Sequence, residues 1–103
     1  MTKTEHLLLC VMEECAEVSQ RASKALRFGL EEIQPGQQLT NAQRLVLEYA
    51  DLYAVFEMLG DEYPHLPRVL TVDVEAKKAK VKQFLHYSEQ CGTLSATPAR
   101  DRS

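Results

Sequence analysis

Apolar residues recur every third or fourth position in three separate segments of this chain, a spacing that admits little but helices. Leu8, Val11, Cys15, Val18, Ala22 and Leu26 form the first stripe, on a helix predicted from about Thr4 to Arg27. Thr4 can cap its start, and Gly29 follows its end as a stop. Residues 28–39 hold Pro35 and Gly36 and read as a loop, with a short turn around Glu31-Glu32. Thr40 or Asn41 then caps a second helix. Its stripe is Leu45, Tyr49, Leu52, Phe56 and Leu59, and Gly60-Asp61 ends it. Pro64 and Pro67 punctuate a linker, because each lacks a backbone donor and restricts the residue before it. A third helix is predicted from about Asp73 to Gln90, capped by Thr71 or Asp73, with Val74, Val81, Phe84 and Leu85 on its apolar side. Gly92 is its stop, and residues 93–103 read as a disordered tail. Only Arg68–Val74 alternates in the manner of a strand. The expectation is therefore an all-α domain over residues 1–92. Three helices make a thin core for 103 residues, so a bundle completed by homo-oligomerisation is expected.

Charge narrows the function classes. Residues 1–62 carry 11 acidic against 5 basic side chains, and residues 63–103 carry 7 basic against 4 acidic. An acidic body argues against general nucleic-acid binding, which needs a basic face. The longest apolar run, Leu7–Met12, is far short of the roughly 20 residues of a bilayer span, and no secretory leader is expected. Cys10, Cys15 and Cys91 are odd in number and form no Cys-x-x-Cys pair, so neither a disulfide framework nor a zinc site is indicated. Free thiols suggest a reducing compartment, hence the cytoplasm.

The chemistry concentrates in two acidic motifs, Glu14-x-x-Glu17 and Glu48-x-x-Asp51. Helical residues three apart are neighbours, so each motif can offer two carboxylates to one cation. With about 100° of turn per residue, the first apolar stripe centres near +70° from Glu14 and Glu17 falls near −60°. The second stripe centres near +60° from Glu48 and Asp51 again falls near −60°. If the stripes face each other, all four acids can line one side of the seam. Converging carboxylates repel, and a bound cation resolves the repulsion. Oxygen-only ligands favour Mg²⁺, with Mn²⁺ as a substitute. A di-iron site would want Glu-x-x-His, and His6, His65 and His86 stand elsewhere.

Glu13–Val18, Ser23–Gly29 and Glu48–Leu52, together with Lys80–Ser88, resemble the MazG-like all-α nucleoside triphosphate pyrophosphohydrolases, above all their short phage-type members. The resemblance spans about residues 7–92. Thirty residues separate Glu17 from Glu48, at or just beyond the usual upper spacing, which implies a longer connecting loop. The resemblance implies Mg²⁺ held by Glu14, Glu17, Glu48 and Asp51, hydrolysis of a nucleotide to its monophosphate and pyrophosphate, and assembly as dimers or tetramers. Water acidified by the metal would attack the α-phosphorus, with Glu17 a candidate general base.

Other residues carry weaker expectations. Arg21 and Lys24 share a side of the first helix with the acids and can contact phosphate, although Glu17–Arg21 is equally an ordinary i,i+4 pair. Lys77, Lys80, Phe84 and Tyr87 share one face of the third helix. Lys80 and Tyr87 are candidate substrate contacts there, and Phe84 is read as core. Asn41 is read as a cap that could also reach a nucleotide. No glycine-rich phosphate loop and no Cys-His or Ser-His nucleophile is present. The competing expectations are a phosphoribosyl-ATP pyrophosphatase, acting on that substrate alone, and a non-catalytic helical partner whose acids form a solvated surface.

Overall fold

A computed structural model describes residues 1–95 and is helical, with no strand among the described residues. Three helices follow in order: α1 (Lys3–Phe28), α2 (Asn41–Glu62) and α3 (Thr71–Cys91). Two compact units divide the chain, Met1–Leu66 and Pro67 onward. Thr93–Ser95 have no regular structure. The rest of the expected disordered tail, 96–103, lies outside the described residues.

Local chemistry sets the ends. Thr2, not Thr4, caps α1: its Oγ1 accepts from Glu5 N–H at 3.1 Å, and Glu5 Oε1 accepts from Thr2 N–H at 2.7 Å. This reciprocal box satisfies two of the orphan donors of a first turn. Thr40 and Gln43 build the same box on α2. The second helix runs through Gly60 to Glu62. An interior glycine costs only about 1 kcal/mol, and no proline intervenes before Pro64. Helix α3 begins at Thr71 behind Leu70, without a side-chain cap. Thr71 and Asp73, expected as caps, are inside the first turn, where Asp73 complements the helix dipole. Gly92 closes α3 at φ 78°, a left-handed conformation that glycine adopts without a Cβ penalty.

Within the first unit, α1 and α2 are antiparallel neighbours. Lys3, His6 and Leu7 border one cavity with Met58, Asp61 and Glu62, while Arg21 borders another with Arg44 and Glu48. The buried and half-buried positions define the seam: Thr4, Leu7, Val11, Glu14, Val18, Arg21 and Ala25 on α1, and Asn41, Leu45, Glu48, Leu52, Val55 and Leu59 on α2. Both sets step by alternating threes and fours, the a/d repeat of a two-helix seam.

This seam keeps Val11 and Val18 of the first expected stripe and Leu45, Leu52 and Leu59 of the second. Its alternate positions lie one residue earlier, which takes Glu14 and Glu48 into the seam in place of Cys15 and Tyr49. Leu8, Cys15, Ala22 and Leu26 are exposed, Leu26 at 89%, as are Tyr49 (59%) and Phe56. The physical reason is that each apolar arc is wider than one seam, so the partner helix covers its edge and leaves the remainder open. One residue forward is about 100° of rotation. On antiparallel helices equal rotations of this sense emerge on the same side. Leu8, Met12 and Leu26 therefore share a continuous face with Val46, Tyr49, Tyr53 and Phe56, all exposed. Ala25 and Leu59 are the only buried apolar side chains among the described residues.

The second unit shows the same economy. No residue of α3 is buried, and Phe84, expected in the core, is 59% exposed.

Candidate functional site

The carboxylates of the two acidic motifs come from facing helices. Glu14 and Glu48 are half-buried in the α1–α2 seam, and Glu17 and Asp51 follow three residues later, both exposed. Three residues forward is about −60°. This places Glu17 and Asp51 together on the side of the hairpin opposite the exposed apolar face. Desolvation raises the Glu48 carboxyl above its ordinary 4.5, and so do a hydrogen bond and charge repulsion from Glu17 and the charges of Asp51 and Glu14. A group that feels all three other acids, and hydrogen-bonds one of them, lies at the centre of the cluster.

Carboxylates that repel one another in this way favour a shared proton or a counterion. The donor set of four oxygen-bearing side chains, two of them exposed and free to rotate, fits a hard divalent cation. The side chains are not preassembled as a cage: among the described residues no three Asp, Glu, His or Cys groups stand close enough to hold an ion as they are.

Around the acids, Lys24 is half-buried on the same side of α1. Arg21 is not the solvated helix residue of an i,i+4 pair. It sits in the seam at 8% exposure, with Nη1 buried and without a hydrogen-bond partner. Its place three after Val18 and four before Ala25 was the available signal. Arg44, four residues before Glu48 on the same face, belongs to no motif in the sequence. It is half-buried and donates from Nη1 to Gln34 Oε1 at 3.0 Å. Lys80 and Tyr87 are exposed on α3, in the second unit.

The long loop is tied to the site by Asn41, which is fully buried. Its Nδ2 donates to Gly29 O and to Glu32 Oε1, each at 2.8 Å, and its backbone N–H donates to Glu32 O at 3.0 Å. Asn41 is thus a latch behind the Thr40 cap. Its neighbour Ala42 adds a bond from its N–H to Leu30 O at 2.9 Å. These bonds hold residues 29–34 against the start of α2, two turns before Glu48.

Comparison with protein-family models, with curated proteins and with solved structures finds no match. No helix among the described residues is long and apolar enough to cross a membrane.

Proposed function

We propose that this chain is a Mg²⁺-dependent nucleoside triphosphate pyrophosphohydrolase that converts an NTP or dNTP to its monophosphate and pyrophosphate, acting in the cytoplasm in nucleotide pool cleaning or control. The observation that carries this reading is the placing of the two acidic motifs on facing helices, with Glu14 and Glu48 in one seam and the Glu48 carboxyl raised by desolvation and then by Glu17, Asp51 and Glu14. Its second support is the likeness of Glu13–Val18, Ser23–Gly29 and Glu48–Leu52 to the MazG-like pyrophosphohydrolases.

In this reading Glu14, Glu17, Glu48 and Asp51 hold the cation. When bound, Mg²⁺ supplies countercharge to phosphate oxygens and acidifies water. Glu17 is exposed and in hydrogen-bond contact with Glu48, so it can take the proton of the attacking water as general base. Lys24 and Arg21 neutralise phosphate charge from α1. A second copy covers the apolar face that α1 and α2 leave open, giving a homodimer or homotetramer.

The test is a panel of NTPs and dNTPs incubated with the purified protein, reading released pyrophosphate with Mg²⁺ and with EDTA. Mg²⁺-dependent release from one or more canonical or modified nucleotides is expected. Release from phosphoribosyl-ATP alone would assign the histidine-pathway activity instead. No release from any of them would leave a non-catalytic helical partner.

A further inference from the structure

Arg21 has no ion-pair partner among the described residues, and its buried Nη1 has no hydrogen bond. A guanidinium cannot shed its proton to escape burial. The same side chain lines a cavity of about 170 Å³ together with Leu39, Arg44, Leu47 and Glu48. Two arginines thus line one partly apolar hollow with a single carboxylate, and one buried guanidinium nitrogen of Arg21 has no partner there. Arg44 donates from Nη1 to Gln34 Oε1 at 3.0 Å. The cavity opens to solvent and has room for phosphate oxygens. Its wall includes Glu48, the centre of the acidic cluster.

We propose that Arg21 and Arg44 form a phosphate subsite beside the carboxylates, which holds the leaving end of the triphosphate and retains it as pyrophosphate. The planar forks of two arginines match phosphate oxygens in geometry and charge. The choice of the leaving end rests on the pyrophosphohydrolase reading. The anion site itself rests on the unpaired guanidinium and the cavity.

Isothermal titration calorimetry with sodium pyrophosphate in EDTA tests it, because no metal then bridges acid and anion. Wild type should bind. Arg44→Gln and Arg21→Gln should each weaken binding at least tenfold, and Lys3→Gln, at the far end of α1, should leave it unchanged. Arg21 is buried, so circular dichroism must show that its variant is folded. If it is not, Arg44→Gln decides, since that residue is half-buried and holds one side-chain bond. Absence of binding by wild type, or equal weakening by Arg44→Gln and Lys3→Gln, overturns the subsite. Binding that depends on both arginines, in a protein with no nucleotide turnover, upholds the anion site and removes the enzymatic reading. Turnover with pyrophosphate affinity and product inhibition unchanged in Arg44→Gln does the reverse.

Discussion

At the residue scale the acids dominate. Glu14→Gln, Glu48→Gln and Asp51→Asn each delete a negative ligand with little change of shape, and each is expected to abolish most turnover. Retention of more than about half the wild-type kcat/KM, a loss below about 0.4 kcal/mol, would remove that residue from the site. Glu48 also makes a pH prediction. Its carboxyl is raised, by burial and then by Glu17, Asp51 and Glu14, so the fold binds this proton more tightly than the unfolded chain does. Stability is therefore lost as pH rises from the ordinary 4.5 through the raised value, and the deficit persists above that window. Urea midpoints compared across that range should show Glu48→Gln gaining on wild type as pH rises. Parallel curves would mean that Glu48 is not repelled by its neighbours. The motifs themselves were legible as sequence because helical spacing alone pairs their carboxylates. Burial of Arg21 was not, since a charged side chain is rarely fully buried unless paired.

At the element scale, the three helices were readable from periodicity and punctuation, and their ends less so. Thr2 and Thr4 are equally good caps by type. The choice fell to Glu5, which stands three residues after Thr2 and closes the box. Which part of an apolar arc faces the neighbouring helix was not readable, because α1 and α2 each carry more apolar surface than one partner covers. The role of Asn41 was also hidden, since its partners Gly29 and Glu32 are 12 and 9 residues away. Asn41→Ala removes both side-chain bonds and leaves the Gly29 carbonyl without this donor. A loss of about 1–3 kcal/mol in urea unfolding is expected. A change under about 0.5 kcal/mol, typical of surface sites, would show that the latch does not hold the loop.

At the scale of the whole molecule, the two buried apolar side chains among the described residues are too few for a stable core. The open face of Leu8, Met12, Leu26, Tyr49, Tyr53 and Phe56 is what a second copy would cover. Light scattering at micromolar concentration should give at least twice the monomer mass, and an active monomer would contradict it. The central claim, that acids from two helices form one cation site, also has a whole-molecule readout. Repulsion among the acids would oppose folding, whereas Mg²⁺ held at the proposed site would favour the folded chain, by up to about 2.7 kcal/mol at one hundred times its Kd. Thermal unfolding of wild type and Glu17→Gln, in EDTA and in Mg²⁺ at matched ionic strength, tests this most directly. The variant should be at least as stable as wild type in EDTA and should gain less from Mg²⁺. Equal Mg²⁺ shifts in the two proteins would contradict a shared site.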